Sequence, residues 1–310
     1  MYLLNKKILV TGGGGFLGKN IVQKLLENGV PEQNIFAPRS TELNLIHLED
    51  CQKAVVGQDV IIHAAGITGG ITMNREKGGE IFYHNTMMST QIMEAARLEG
   101  VEKFVGIGTV CEYPKFSPIP FREENLWNGY PEETNGPYGI SKKMMLVQGQ
   151  AYRSQYGMNV IHLLQVNLYG PGDHFDSYRS HVIPALILKI DNAKKEHQSF
   201  IEVWGTGKAS REFLYVEDAA EGIVLATERY NKPEPVNLGS GMEITIRALA
   251  ELICDIMDYR GELRWDTTKP DGQPRRALDV SKAMSEFGFT ASTSFRDGLT
   301  KTIQWYDTQH

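Results

Sequence analysis

This sequence predicts an α/β protein: a doubly wound parallel sheet with a smaller mixed α/β body beside it. Three observations carry that expectation. Apolar strands at 7–11, 59–63 and 103–107 run nearly uninterrupted in Val, Ile, Leu and Phe, as strands covered on both faces do. Helical stretches stand between them, most clearly at 80–98, and strand–helix alternation is the pattern of a parallel sheet. Finally, 310 residues exceed one hydrophobic core of ordinary size, so a second unit is expected.

The first strand, Lys7-Ile8-Leu9-Val10-Thr11, follows directly on an N-terminus without the layout of a secretion signal. Four glycines, Gly12 to Gly15, come next, then a helix over 16–27 and a short second strand at 34–37. Beyond Leu168 the alternation fades. Trp204-Gly205-Thr206-Gly207 and Lys269-Pro270-Asp271-Gly272 read as turns, and 246–257 as a helix. With no repeat, low-complexity tract or linker, the later part is expected to pack on the first. The expected boundaries are 1–168, with 213–241 returning to it, and 169–212 with 242–310.

Composition excludes several classes. Hydrophobic content of 41% and charged content of 23% are those of a globular protein. A net charge of −6 argues against a nucleic-acid or anionic-membrane surface but leaves room for a local basic pocket. No apolar run is long enough to span a bilayer. Cys51, Cys111 and Cys254 are far apart and form no paired ligand pattern, so no metal is expected and a reducing, cytoplasmic setting fits.

Gly12, Gly15 and Gly18 make G-x-x-G-x-x-G between a strand and a helix, with Phe16 and Leu17 in the same turn. Without side chains the backbone can approach a pyrophosphate, which the helix N-terminus then stabilises. In a chain with 31 glycines the plain reading is a tight turn; placement after the first strand favours a Rossmann-type cofactor site. The second strand ends Phe36-Ala37-Pro38-Arg39-Ser40, where an NAD site would carry an acid. Arg39, with Ser40 beside it, suits a ribose 2′-phosphate instead, so NADP(H) is the expected cofactor; a solvated surface arginine is the alternative.

Tyr138 and Lys142 stand four apart in Gly136-Pro137-Tyr138-Gly139-Ile140-Ser141-Lys142, which on a helix puts phenol and ammonium on one face. The ammonium is expected to favour the phenolate and so make the tyrosine a proton carrier for a carbonyl under reduction. Spacing alone proves little, since Tyr2 and Lys6 repeat it.

Together with longer stretches, these residues resemble the extended short-chain dehydrogenase/reductases and, within them, the GDP-L-fucose synthase family. The stretches are Gly108-Thr109-Val110-Cys111-Glu112-Tyr113-Pro114-Lys115, Asn167-Leu168-Tyr169-Gly170-Pro171, Ser180-His181-Val182-Ile183-Pro184, Trp204-Gly205-Thr206-Gly207 and Arg211-Glu212-Phe213-Leu214. The resemblance runs nearly end to end. It implies an NADPH-dependent enzyme that takes GDP-4-keto-6-deoxy-D-mannose, inverts C3 and C5, and reduces the C4 ketone. It implies Thr109, Tyr138 and Lys142 as the reductase triad, and Cys111 and His181 as the epimerisation acid and base. For the nucleotide sugar it implies Lys189, Trp204, Arg211 and Lys269, with Asn85 and Asn167 near the nicotinamide or the sugar. Three positions depart from the family pattern: Thr109 replaces Ser, Lys189 replaces Arg, and Gly78-Gly79 stands where a proline is usual.

Chemically the set is coherent. Both C3 and C5 flank a ketone, so the enolate formed at either needs donors at one oxygen, and the same donors serve the alkoxide after hydride transfer. Thiol and imidazole groups titrate near neutrality, as an inverting pair requires, and Thr109 and Cys111, two apart after a strand, can face one side. Each residue alone has a plainer reading: Cys111 a buried small hydrophobe, His181 a packing group, Thr109 a strand residue, the basic residues surface charge. Met87, Met88, Met93, Met144 and Met145 fall on two helices and suit core or subunit packing, and the resemblance implies a homodimer through those helices. The open alternatives are a related GDP-4-keto-deoxy sugar (a deoxyheptose or colitose precursor), a non-reducing epimerase with tightly bound cofactor, and a non-enzymatic NADP-binding regulator.

Overall fold

The computed structural model describes residues 2–176, 180–269 and 271–309. The first half runs β1 (Ile8–Thr11), α1 (Phe16–Glu27), β2 (Ile35–Phe36), α2 (Leu48–Val55), β3 (Val60–His63), α3 (Ile71–Glu76), α4 (Gly78–Glu99), β4 (Lys103–Thr109), α5 (Gly136–Tyr156) and β5 (Asn159–Gln165). Then come β6 (Asn167–Tyr169), α6 (Val182–Lys195), β7 (Phe200–Trp204), β8 (Ser210–Tyr215), α7 (Val216–Arg229) and β9 (Val236–Leu238). The chain closes with β10 (Glu243–Thr245), α8 (Ile246–Ile256), β11 (Glu262–Asp266), β12 (Arg275–Arg276), α9 (Ser281–Phe287) and α10 (Phe295–Gln309).

A six-stranded sheet in the order β2-β1-β3-β4-β5-β9, parallel throughout, forms the main body. Strands β1, β3, β4, β5 and β9 are buried on both faces, while the edge strand β2 is partly exposed, and the buried strands' alternate residues divide between two cores. Ile8, Val10, Val60, Ile62, Val105 and Ile161 enter one layer; Leu9, Ile61, Phe104 and Val160 enter the other. That division is the two-residue period of a strand read against helices on either side. Helices α1 and α7 pack together, as do α2 with α4 and α4 with α5.

The second body has its own core, in which Tyr169, Phe213 and Tyr215 meet Ile183, Ile187, Leu249, Ile253 and Leu299. It is built on β10-β8-β12, with β6 also on β8, and on the pair β11-β7. These strands are two to six residues long, too short to leave a period in the sequence. A buried carboxylate ties the pieces: Glu212 Oε1 accepts from the amides of Ser240 (2.7 Å) and Gly241 (2.8 Å), and Oε2 from that of Leu278 (2.6 Å). The N-terminus does not run directly into β1, as the sequence suggested; a 3-10 turn at Tyr2–Asn5 precedes it. Pro270, part of an expected turn, lies outside the described residues. Among the described residues no helix is long and apolar enough to cross a membrane.

Candidate active site

Chain order reverses across β1, so the crevice for a ligand opens at the C-terminal ends of β1 and β3. Gly12 takes φ +71° there, and a Cβ on it would stand 2.9 Å from the Ala65 backbone. A Cβ on Gly18 would collide with the Gly12 carbonyl oxygen. No side chain caps the N-terminus of α1 at Gly15. A bare backbone cradle facing a helix N-terminus fits the pyrophosphate of a dinucleotide, with Phe16 and Leu17 in the first turn. Arg39 and Ser40 are exposed beyond β2, and the Arg39 side chain lies against Gly14, with its Cγ 4.0 Å from where a Cβ there would be. The Arg39 amide donates to Glu42 Oε2 at 2.7 Å, a carboxylate three residues on that sequence reading passed over.

The floor of the crevice is a buried chain of hydrogen bonds. Thr11 Oγ1 meets His63 Nδ1 at 2.8 Å, and His63 Nε2 meets Ser89 Oγ at 3.2 Å. Burial, then the charge of Lys142, lowers the His63 pKa to about 3, so the ring is neutral. Asn85, also buried, accepts from the Ile67 amide through Oδ1 and donates to the Ile67 carbonyl through Nδ2, each at 2.8 Å. It thereby shapes the 64–68 loop at the end of β3.

Thr109 ends β4 and caps a 3-10 turn over Val110–Glu112; its Oγ1 accepts from the Cys111 amide at 3.3 Å. Cys111 therefore comes beside Thr109 through a turn, not through the strand alternation that the spacing suggested. Tyr138 and Lys142 fall in the first two turns of α5, with Pro137 at its start. Gly139 lets that helix approach, since a Cβ there would strike the Cys111 carbonyl. The Tyr138 phenol faces the side chains of Thr109 and Thr68. Lys142 Nζ donates at 3.4 Å to the carbonyl of Ala65, the residue whose backbone packs against Gly12 of the cradle.

The lowered Tyr138 pKa expected from Lys142 is not found. Burial pushes the phenol above its ordinary value, the nearby Cys111 and Glu112 add to this, and the hydroxyls of Thr68 and Thr109 oppose it. Burial also pulls Lys142 down to about 8, with Glu112 working against the shift. Tyr138 is thus held as a phenol, the form needed to give a proton to a ketone oxygen. The Tyr2–Lys6 pair also comes together, but on the carboxylate of Glu102 at the surface.

Glu112 is a member of the site that the sequence did not reveal. Fully buried, its Oε1 accepts from the Thr109 amide at 2.9 Å, and its two oxygens face His162 Nε2 at 3.0 and 3.1 Å. Arg276 is another: its Nη1 donates to Cys111 Sγ at 3.6 Å. Arg211 lies in register with Arg276 across β8 and β12. Burial, then the charge of Arg276, lowers the Arg211 pKa to about 10. Nothing in the tandem Arg275-Arg276 signals which of the two turns inward.

The remaining candidates separate into two groups. Lys189 and Lys269 each place Nζ 5.7 Å from the ring centre of Trp204, which is 55% exposed. Lys189 also donates to the Glu202 carbonyl at 3.0 Å. This open aromatic face flanked by two ammonium groups suits a base and a phosphate. Asn167 gives its amide to the Glu212 carbonyl at 3.0 Å, beside Arg211. His181 is the N-cap residue of α6 and is exposed. No hydrogen bond joins it to the Cys111 group among the described residues. Those residues also hold no cluster of His, Cys, Asp or Glu able to bind a metal.

A glycine cradle, a hydroxyl, a tyrosine and a lysine at the ends of β1, β4 and α5 define a dinucleotide-dependent enzyme. The chain belongs to the NAD dependent epimerase/dehydratase family, whose pattern matches residues 8–239. It is 40% identical over 302 residues to GDP-L-fucose synthase 1 of Arabidopsis thaliana, covering 97% of this chain and 93% of that one. In structure it is similar to a GDP-6-OMe-4-keto-L-xylo-heptose reductase from C. jejuni (TM-score 0.89, 27% identity, 99% of both chains). It is similar also to a GDP-L-fucose synthetase from Naegleria fowleri bound to NADP (TM-score 0.88, 26% identity, 98% and 95% of the two chains).

Proposed function

We propose that this chain is an NADPH-dependent epimerase/reductase that converts GDP-4-keto-6-deoxy-D-mannose to GDP-L-fucose. The observation that carries the reading is the placement of Cys111, whose amide is bound by Thr109, within a ketone-reductase triad. A plain reductase has no use for a thiol there. The GDP-L-fucose synthase and synthetase among the similar proteins support the substrate, and the NADP bound to the latter supports the cofactor.

In this reading the cofactor supplies the hydride. Thr109 and Tyr138 hydrogen bond to the C4 oxygen, first as an enolate and then as an alkoxide, and Tyr138 delivers its proton. Cys111 and His181 exchange protons at C3 and C5 from opposite faces. Trp204, Lys189, Lys269 and Arg211 hold the guanosine diphosphate, and Arg39 and Ser40 the 2′-phosphate. The large domain is 1–168 with 213–241, the smaller 169–212 with 242–310, and the sugar binds between them. We place the enzyme in the cytoplasm as a homodimer.

Supplied with GDP-4-keto-6-deoxy-D-mannose, the protein should consume one NADPH per sugar and yield, by NMR, a product inverted at C3 and C5. A product reduced at C4 alone would make it a simple ketone reductase. The similarity to a GDP-heptose reductase supports a second reading, a related GDP-4-keto heptose. A higher kcat/KM for the heptose than for the 6-deoxyhexose would favour it.

A further inference from the structure

We propose that Gln165 is a further cofactor-binding residue, whose side-chain amide pairs with the carboxamide of the nicotinamide ring. The inference rests on NADP(H) as the cofactor and on a ketone held by Thr109 and Tyr138, not on inversion at C3 and C5. Gln165 ends β5 and is buried, with 4% of its surface exposed. Neither its Nε2 nor its Oε1 has a hydrogen-bond partner among the described residues. A donor and an acceptor on one amide are thus both left unpaired, and each carries the full cost of its desolvation.

The register says what stands beside that amide. In the main sheet Gln165 pairs with Thr109 of β4 on one side and with Leu238 of β9 on the other. Partners in register on parallel strands send their side chains to the same face, so the amide and the Thr109 hydroxyl share one. Neither neighbour satisfies it: Leu238 is apolar, and Thr109 Oγ1 serves the Cys111 amide. Both residues end their strands at the C-terminal edge of the sheet, the edge on which the glycine cradle opens. Strand order leads from the cradle at β1 past β3, where Lys142 reaches the Ala65 carbonyl, to Thr109 on β4. The next strand end is Gln165.

Hydride transfer decides which end of the cofactor belongs here. The ring carbon that gives the hydride has to face the ketone carbon whose oxygen Thr109 and Tyr138 hold, and the carboxamide is carried by the adjacent ring carbon. That group offers an N–H donor and a carbonyl acceptor, the complement of the two atoms that Gln165 leaves unpaired. The last torsion of a glutamine is broad, so the amide can turn to the strand end with its backbone in place. A hydroxyl there would supply one bond. An amide supplies two in one plane, which hold the ring against rotation with one face to the ketone.

Calorimetric binding tests this without any sugar. The probes are NADP+, its 3-acetylpyridine analogue, in which a methyl ketone replaces the carboxamide and the donor is lost, and 2′-phospho-ADP-ribose, which lacks the ring. Wild-type protein should bind NADP+ several-fold more tightly than the acetylpyridine analogue; equal affinity rejects the proposal with no variant needed. Gln165→Met keeps the length of the side chain and removes both polar atoms. It should weaken NADP+ by about tenfold, leave 2′-phospho-ADP-ribose unchanged and erase the preference for NADP+ over the analogue. An equal loss for all three ligands makes Gln165 a packing residue and overturns the proposal. Unchanged NADP+ affinity with a raised KM for the sugar gives the amide to the sugar and overturns it too. Because the amide has no partner within the protein, Gln165→Met without ligand should unfold in urea at the wild-type midpoint or above. A variant that fails to fold, or a lower midpoint, shows that the amide has such a partner and is equally fatal. Should the binding results hold while GDP-4-keto-6-deoxy-D-mannose is not turned over, the assignment of Gln165 stands and the substrate reading falls.

Discussion

At Tyr138 two effects oppose one another. The hydroxyls of Thr68 and Thr109 favour the phenolate; burial, with Cys111 and Glu112 nearby, favours the phenol, and burial wins. The sequence shows the Tyr138–Lys142 pair and its spacing, but not how dry the place is, because burial is set by β4 and the 64–68 loop. Glu112 shows the same limit from the other side. Its position in Cys111-Glu112-Tyr113-Pro114 is plain, yet nothing local says that His162, fifty residues on, closes the pair. The pair has a functional consequence through Lys142, whose pKa of about 8 is lowered by burial and held up by Glu112. As pH rises through that value Lys142 loses its proton, so NADPH oxidation should fall on the alkaline side. Glu112→Gln removes the charge that supports the ammonium and should move that limb to lower pH. A limb that stays in place in the mutant would remove Glu112 from the proton account.

Among elements, the glycine turn with α1 and the Tyr–Lys helix α5 were readable because their chemistry is local. The Phe16–Glu27 helix has the expected bounds, and β1, β3 and β4 fall within two residues of expectation. Strands β10 and β12 could not be read, since three and two residues carry no period and their pairing with β8 is long-range. The end of α7 depends on one such distant residue. Lys103, at the start of β4, is buried, and its Nζ donates to the carbonyls of Thr227 (2.5 Å), Tyr230 (2.7 Å) and Ala226 (3.3 Å). From sequence it is an ordinary strand-end lysine. Lys103→Met would leave the Thr227 and Tyr230 carbonyls buried without that donor, while Ala226 keeps the Tyr230 amide, and should cost about 1–3 kcal/mol. Urea unfolding checks it; an unchanged midpoint would show that water serves those carbonyls as well.

For the molecule as a whole, the sheet body was legible, and so were the presence of a second body and its helix at Ile246–Ile256, whereas the short strands that build that body were not. Arg276 marks the boundary of what sequence reveals: its importance is a register, and registers follow from folding. The outer faces of α4 and α5 leave Tyr83, Met144, Val147 and Tyr156 exposed, whereas Met93 and Met145 are buried. An exposed apolar face on two packed helices fits the proposed homodimer. Val147→Glu should then yield monomer in light scattering; a wild-type enzyme already monomeric would refute the dimer.

The central claim is that one site both inverts the sugar and reduces its ketone, with Cys111 and His181 serving the first task and the Thr109–Tyr138–Lys142 group the second. The most direct measurement is deuterium entering C3 and C5 from heavy water, followed separately from NADPH loss. Wild-type protein should label both carbons. Cys111→Ser and His181→Gln should each slow labelling by roughly 10²–10⁴-fold, the range for a lost general acid or base, and still reduce a 4-keto sugar that is already epimerised. If both variants label C3 and C5 at the wild-type rate, Cys111 and His181 are packing residues and the two-step account is wrong.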